Sequence, residues 1–305
     1  MHLSAPTAQA WLDTHLHDFY RYYVEALAEG LEHRSFTVAD LLADDSALIR
    51  ELHRRMTEED GTPGPAAGRY LMGSLGGVAA TALGYALAAS AAVFVPDRDT
   101  MRWYLHPEGW TDRFEPGIAH ALVPSDHPWA GRAGVEVVDS PEERYQRAVA
   151  ALTDALAPVV DAIAGLAKGG RPGLWAEVAD GFASTLVYQS RIPVTDEGIA
   201  ALRGLMSATG APWDGTPSIW PVELDFGAVC VMQKLGCCLA YTDTFDEDHE
   251  DDQDHRDFHA LFPDAPGRPH YCSNCCFRPT EECRDHQLWW RTREHENREA
   301  GIPNP

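Results

Sequence analysis

Four cysteines near the C-terminus are the residues of this sequence best suited to chemistry. Cys237 and Cys238 are adjacent, and Cys272 and Cys275 form a Cys-x-x-Cys motif after a spacer of 33 residues. In a reducing compartment, cysteines grouped in this way are more often metal ligands or redox groups than disulfides. The spacing therefore predicts that the chain is a metalloprotein.

The spacing also bears on which metal centre is bound. Four thiolates suit either tetrahedral zinc or an iron-sulfur cluster. Zinc sites commonly use pairs spaced Cys-x2-Cys, which let both sulfurs face one ion, whereas adjacent cysteines such as Cys237 and Cys238 tend to project apart. The pattern therefore favours a 2Fe-2S cluster, which is larger and has ligand positions at both ends, and zinc stays an alternative.

The remaining cysteines belong to the same part of the chain. All seven lie between Cys230 and Cys283, which indicates one local site. Cys230 is predicted to be a small buried hydrophobic residue. Cys276 and Cys283 are predicted to be non-ligands, although either can replace a ligand when the cluster is damaged. A rival ligand set stays open, and it consists of Cys272, Cys275, Cys276 and Cys283.

Mostly helical elements must position these cysteines. The period of the apolar residues predicts helices over residues 8–52, 69–95, 140–166, 174–188 and 197–208. Ser46 is a candidate cap within the first of them, and Ser140 is the candidate cap of the third. Aromatic residues on both sides of Pro107-Glu108-Gly109 predict a hairpin over residues 101–114, with another strand at 134–138.

These elements predict an α+β fold that is mainly helical. We expect a single domain over residues 1–305, made of a helical domain with a small antiparallel sheet and a C-terminal cysteine-rich, cluster-binding segment at 230–290. That segment includes an acidic insertion, 243–259, for which a solvated loop is predicted. Divalent metal binding by its Asp, Glu and His residues is an alternative, weakly specified because such a mixture sets no preferred geometry.

The charge of the chain limits its partners. The formal net charge is −23 at pH 7, and such a surface repels phosphate backbones, so nucleic acid is not expected as a partner. The N-terminus lacks the basic, apolar and small-residue segments of a signal peptide. A cytoplasmic location is therefore expected.

The uncharged run from Leu75 to Val95 is long enough to cross a bilayer. Much of it is Ala and Gly, with Thr81 and Ser90 inside, so its insertion energy would be marginal. We therefore expect no stable membrane insertion. The prediction is a small-residue helix, buried on most sides, against which neighbouring helices pack closely.

The cysteine pattern resembles that of the FhuF-type ferric siderophore reductases. The stretch Gly236-Cys237-Cys238-Leu239-Ala240-Tyr241 is similar to the first half of the family motif, and His270-Tyr271-Cys272-Ser273-Asn274-Cys275 is similar to the second. Looser similarity over residues 69–73 and 174–180 extends the resemblance to most of the chain. The spacer is longer than is usual in the family, and loop-closure entropy tolerates this because its cost grows slowly with length.

The resemblance implies an oxidoreductase in which Cys237, Cys238, Cys272 and Cys275 bind a 2Fe-2S cluster. It implies that Fe(III)-siderophore complexes of hydroxamate type are reduced by one electron, which releases Fe(II) in the cytoplasm. The electron would come from an external donor, a ferredoxin or a flavin reductase, since the sequence has no nicotinamide or flavin motif. No catalytic acid or base is required, which agrees with the lack of a Ser-His-Asp or Glu-Glu signature.

Several residues near the cysteines are candidates for supporting roles. Arg278, Trp289 and Arg291 are candidate substrate-binding residues, and the alternative for the last two is a helix that docks its tryptophans on the core while its arginines snorkel. Candidate hydrogen-bond donors to sulfur, which would tune the cluster's potential, are the backbone amides of Leu239, Asn274 and Phe277 and the side chains of Asn274 and Arg278.

Two other functions stay open. One is a zinc-stabilised binding module without enzymatic activity, in which the metal holds the C-terminal segment together. The other is an iron-sulfur redox sensor or assembly factor, in which cluster loss is the signal.

Overall fold

The computed structural model describes residues 34–89, 91–106, 111–189, 192–213, 215, 217–239, 261 and 271–301. The predicted helix over residues 8–52 lies partly outside these ranges, and the acidic insertion 243–259 lies wholly outside them. Within them the predicted fold class is confirmed, because the chain is α+β and mainly helical, with small sheets and a C-terminal cysteine cluster.

Helices make up most of the described chain. A π-helical turn, Gly73–Gly77, joins the second α-helix to the third. The α-helices are α1 (Val38–Glu58), α2 (Gly64–Met72), α3 (Val78–Ala89), α4 (Pro141–Ala167), α5 (Arg171–Gln189), α6 (Asp196–Ser207) and α7 (Thr280–Glu299).

The strands form small sheets between the helices. They are β1 (Arg34–Thr37), β2 (Val93–Pro96), β3 (Arg102–Leu105), β4 (Thr111–Glu115), β5 (Ile118–Val123), β6 (Val135–Val137), β7 (Ser218–Leu224) and β8 (Gly227–Gln233). In one sheet, β3 lies between β1 and β4 and pairs antiparallel with both. In a second, β5 pairs antiparallel with β2 and parallel with β6. Strands β7 and β8 form an antiparallel hairpin.

Several predicted elements are confirmed. Strands β3 and β4 form the expected hairpin, in which Trp103 lies opposite Phe114, and β6 is the expected strand at 134–138. Helix α4 begins after Ser140, whose hydroxyl accepts the backbone N–H of Glu143 at 3.1 Å. The side chain at an N-cap satisfies one of the unpaired amides of the first turn, which fixes where the helix begins.

The helix predicted over residues 8–52 is wrong at residues 34–37. This stretch is strand β1, which pairs along β3 with Arg34 opposite Leu105, and α1 begins only after Thr37, whose hydroxyl accepts the N–H of Asp40. Ser46 immediately precedes the second of the two helical segments that make up α1. It lies with Asp44 and Asp45 in a kink of α1 where all three residues have positive φ.

The helix predicted over residues 69–95 has different ends. It begins at Gly64 and, through the π-helical turn, continues to Ala89. The run Val93–Pro96 is strand β2, because its β-branched and aromatic side chains are buried and its backbone pairs with β5. The β7–β8 hairpin was not predicted, whereas α7 contains the helix given as the alternative for Trp289 and Arg291.

The predicted close packing of the small-residue helix is confirmed. Helix α3 packs chiefly against α5, and a Cβ added at Gly84 would lie 2.9 Å from the carbonyl oxygen of Phe182. A Cβ added at Gly181 would lie 2.6 Å from the carbonyl oxygen of Gly77. Glycine at these positions lets the backbone of α5 approach α3 and the π-helical turn closely.

Two helical stretches, Gly64–Ala88 and Pro141–Ala167, are long and apolar enough to cross a membrane by length and composition. Core helices of soluble proteins meet the same criterion. In Gly64–Ala88, 61% of the most apolar window is buried inside the protein. Both stretches contribute side chains to one hydrophobic core, among them Leu75, Leu83, Leu152 and Ile163.

Candidate metal centre

The structure brings all four predicted ligands together. The Sγ atoms of Cys237, Cys275 and Cys276 all lie within 4.8 Å of one another. The thiol of Cys272 shares hydrogen bonds with those of Cys238 and Cys275. Five sulfurs thus converge from two parts of the chain that are more than thirty residues apart, and the fifth is Cys276, predicted as a non-ligand.

Helix α5 fixes the segment that carries Cys237 and Cys238. The buried carboxylate of Asp180 accepts the backbone N–H groups of Leu235 at 2.7 Å and Gly236 at 3.0 Å. A Cβ added at Gly236 would lie 2.4 Å from the Cβ of Ala176, so only glycine permits this approach to α5. The two bonds and the close contact hold the chain where it leaves β8.

The end of β8 fixes the second cysteine segment. The side-chain amide of Gln233 donates to the carbonyl oxygens of Cys275 at 3.1 Å and Arg278 at 2.8 Å. The backbone N–H of Lys234 donates to the carbonyl of Asn274 at 2.9 Å. The guanidinium of Arg278 donates to the carbonyls of Tyr271 and Cys272 from within the same turn. Consecutive residues at the end of β8, 233–236, therefore hold both cysteine segments in place.

Two of the predicted hydrogen bonds to sulfur are present. The backbone N–H of Leu239 donates to Cys237 Sγ at 3.3 Å, and Leu239 reaches this position with a φ of +64°. The backbone N–H of Phe277 donates to the Cys275 sulfur. Hydrogen bonds from backbone amides to sulfur stabilise thiolates and tune the reduction potential of iron-sulfur centres.

Cys283 and Cys230 have separate surroundings. Cys283 lies on α7, where its sulfur accepts a hydrogen bond from the Gln287 side chain at 3.1 Å. Its sulfur does not belong to the group of three sulfurs, those of Cys237, Cys275 and Cys276, that lie within 4.8 Å of one another. Cys230 lies in β8 and is only 5% exposed, as predicted for a small core residue. The rival ligand set therefore shares Cys272, Cys275 and Cys276 with the five converging sulfurs, and its fourth member, Cys283, lies outside the group of three within 4.8 Å.

The thiols differ in acidity because they lie close together. Hydrogen bonding from Cys272 lowers the pKa of Cys275 to about 6. Hydrogen bonds to Cys238 and Cys275 raise the pKa of Cys272, and burial raises the pKa of Cys237 to about 12 and that of Cys276 to about 11. Without a metal, one thiolate is stabilised by its neighbours. Metal binding must remove the protons of the others.

A group of ionisable residues beside the sulfurs went unrecognised in the sequence. Burial raises the pKa of Glu177 to about 7 and that of Asp180 to about 6. Burial alone would lower the pKa of Lys234, but the nearby negative groups Cys272, Cys238, Glu177 and Asp180 raise it. Lys234 is therefore a cation that faces both the thiols and the acids.

Glu177 and Asp180 could have been found from the pattern of α5. Both are acids on a helix whose other side chains are largely apolar, and both are almost fully buried, at 8% and 3% exposed. Glu177 Oε1 has no hydrogen-bond partner among the described residues. Buried carboxylates are costly unless they are paired, so such residues often mark a functional site.

The three candidate substrate-binding residues have defined surroundings. Arg278 is 8% exposed and makes the carbonyl contacts described above. The guanidinium of Arg291 lies 4.0 Å from the ring centre of Tyr188 and 2.9 Å from Glu294. Trp289 is half-buried on α7 and packs edge-on against Trp290. Substrate contact by these residues stays a prediction.

The donor set fits a metal or a metal-sulfur centre. Several cysteine sulfurs converge, backbone amides donate to two of them, and a lysine cation lies nearby to offset the charge of thiolates. Soft thiolate ligands of this kind select zinc, copper(I) or iron-sulfur centres.

An apolar hollow between α3 and the strands β2 and β4 shares no lining residue with this site.

The chain matches no protein-family model and no curated protein sequence.

Proposed function

We propose that the chain is a 2Fe-2S protein that reduces Fe(III)-siderophore complexes of hydroxamate type and releases Fe(II). The observation that carries the proposal is the convergence of Cys237 and Cys238 with the Cys272–Cys276 segment on one site. The similarity of these two segments to the FhuF-type motif supports the choice of cluster and of substrate.

The proposed reaction needs only one electron. When bound, the cluster supplies that electron, and the substrate iron changes from Fe(III), held tightly by hard oxygen ligands, to the weakly held Fe(II). The residues of the chain would bind the cluster and tune its reduction potential. Cys237 and Cys275 accept amide hydrogen bonds, and the Lys234 cation offsets thiolate charge, both of which favour a higher reduction potential.

The position of the sulfurs near the protein surface supports electron exchange with a partner. Cys237, Cys238, Cys272 and Cys276 are half-buried, and the neighbouring Phe277 is 55% exposed. A bulky chelate therefore need not enter the core to approach the cluster. We propose that a ferredoxin or flavin reductase in the cytoplasm supplies the electron.

The first test is the metal content of the protein purified without oxygen. We expect two irons and two sulfides per chain, visible absorption, and an electron paramagnetic resonance signal that appears on reduction. Addition of a ferric hydroxamate siderophore should remove that signal while an Fe(II)-specific chelator traps the released iron. A cluster that stays reduced in the presence of the siderophore would argue against the reductase and for a sensor.

A zinc-stabilised module is the second candidate, and one observation favours it. The three sulfurs of Cys237, Cys275 and Cys276 lie close enough to bind a single ion after small shifts. Stoichiometric zinc without sulfide or visible absorption would select this function over electron transfer.

A further inference from the structure

The sulfur of Cys276 belongs to the same close group as those of the predicted ligands Cys237 and Cys275. The Sγ atoms of Cys237, Cys275 and Cys276 are mutually within 4.8 Å. Tetrahedral ligands with metal–sulfur bonds of about 2.3 Å place their sulfurs about 3.8 Å apart. Shifts of about 1 Å would therefore let either Cys275 or Cys276 bind the same metal as Cys237.

The backbone of Cys275 is held by hydrogen bonds at both its carbonyl oxygen and its N–H. Its carbonyl oxygen accepts the Gln233 side-chain amide at 3.1 Å and the backbone N–H of Arg278 at 3.1 Å. The backbone N–H of Cys275 donates to the carbonyl of Cys272 at 3.1 Å. These bonds fix the positions from which both side chains leave the backbone, so the nearness of the two thiols to Cys237 is built into the turn.

The two cysteines differ in exposure. Cys275 is 2% exposed, whereas Cys276 is half-buried. Cys275 also accepts the backbone N–H of Phe277 at its sulfur. Burial and this bond make Cys275 the ordinary ligand and leave Cys276 on the solvent side of the same position.

We propose that Cys276 is a ligand-competent thiol that shares one metal position with Cys275, so that either residue completes the half of the centre that contains Cys237. This inference rests on the proposed function in taking the centre to be a 2Fe-2S cluster. The exchange moves no electron. With a cluster bound, the entering thiol would give up its proton to solvent as it took the position, and the displaced thiolate would take up a proton.

The test compares Cys275→Ser with Cys272→Ser, since both remove one predicted ligand from the same turn. We expect Cys275→Ser to keep about half or more of the wild-type iron and sulfide per chain, because Cys276 takes the position. Cys272→Ser should lose on the order of tenfold, and so should the Cys275→Ser/Cys276→Ser double variant. Cys276→Ser alone should keep the wild-type content.

Alkylation of thiols under native conditions, read by mass spectrometry, gives a second measurement. Cys276 should react in the wild-type protein and be protected in Cys275→Ser. Equal loss of metal in Cys275→Ser and Cys272→Ser, or continued reaction of Cys276 in Cys275→Ser, would overturn the inference. If Cys275→Ser loses its helical circular dichroism, Cys275→Ala replaces it and the same pattern is expected.

The outcome for Cys276 is separate from the outcome for the proposed function. Iron, sulfide and zinc in the wild-type protein decide the kind of centre. If the wild-type protein holds zinc, the comparison is read as zinc per chain, and loss of zinc in both Cys275→Ser and Cys276→Ser would show that the two thiols bind the ion together, which would overturn a shared position.

Discussion

Asp180 is the residue on which the position of the first cysteine pair depends most directly. It lies on α5, is 3% exposed, and accepts two consecutive backbone N–H groups just before Cys237. Its carboxylate does in this loop what an N-cap does for a helix, because it satisfies amides that have no partner in regular structure.

Replacing Asp180 should therefore affect both stability and metal content. We expect Asp180→Ala to destabilise the protein by about 1–3 kcal/mol, since two amides lose their acceptor, and to lower the bound metal per chain. Thermal unfolding and metal analysis measure the two effects. Asp154→Ala, at an exposed position of α4, is the control and should change stability by less than about 0.5 kcal/mol. Wild-type metal content in Asp180→Ala would contradict the anchoring role.

Glu177 should make stability depend on pH. Burial raises its pKa in the folded protein to about 7, from an ordinary 4.5. The folded state therefore binds more protons than the unfolded state between these values, and its stability falls as the pH rises through that window.

The variant Glu177→Gln should remove this dependence. Its unfolding free energy relative to the wild type should rise by roughly 2 kcal/mol between pH 5.5 and pH 8, as measured by urea unfolding at both pH values. If the difference in unfolding free energy between the variant and the wild type is the same at both pH values, then Glu177 is ionised at both, with Lys234 as its counter-charge.

At the scale of elements, the contact between α5 and the π-helical turn sets where the site lies. Helix α5 carries Glu177 and Asp180 on the stretch that also holds Gly181 against Gly77. A change in the distance between these backbones would move the acids relative to β8. The glycines are thus part of what positions the cysteines.

Identical Gly→Ala substitutions on two helices should have opposite effects. Gly181→Ala places a Cβ 2.6 Å from a carbonyl oxygen, and we expect a loss of about 1–3 kcal/mol from overpacking. Gly165→Ala on α4 meets nothing within 4 Å and should gain about 0.5–1 kcal/mol from helix propensity. Urea unfolding of both variants checks this, and a stabilised Gly181→Ala would show that the helices separate without cost.

At the scale of the whole molecule, the net charge of −23 should govern encounters with a charged donor. An acidic donor is repelled, and salt screens the repulsion because the Debye length falls from about 30 Å at 0.01 M to about 8 Å at 0.15 M. The second-order rate constant for reduction by such a donor should therefore rise over this range. Stopped-flow kinetics measure it, with an uncharged reductant as the control. A fall with salt would reveal a local basic docking surface.

The acidic insertion can be tested by removal. Both of its ends connect to segments that α5 and the end of β8 hold, through Asp180 on one side and Gln233 on the other. Deletion of residues 246–257 should therefore leave the metal content and absorption spectrum unchanged, and siderophore reduction as well if the insertion is only a solvated loop. Loss of reduction with an intact spectrum would show that the insertion takes part in recognition.

Local sequence was enough to predict the mainly helical fold class and four of the five cysteines that converge. Periodicity and capping are local properties, so α4, α6 and the β3–β4 hairpin could be predicted from neighbouring residues. The Cys-Cys and Cys-x-x-Cys groups were likewise visible because ligand chemistry depends on residue type and short spacing. Strand β1 was missed because its state is set by pairing with β3, far along the chain.

The surroundings of the sulfurs depend on contacts between residues that are far apart in the chain. Asp180 and Glu177 lie more than fifty residues before the first cysteine pair, and packing of α5 against the chain after β8 brings them there. The same applies to Cys276, whose sequence position gave no reason to prefer it over Cys283. The turn held by Gln233 brings the Cys276 sulfur to within 4.8 Å of Cys237, because buried hydrogen bonds between distant residues, not spacing along the chain, fix the direction of each side chain.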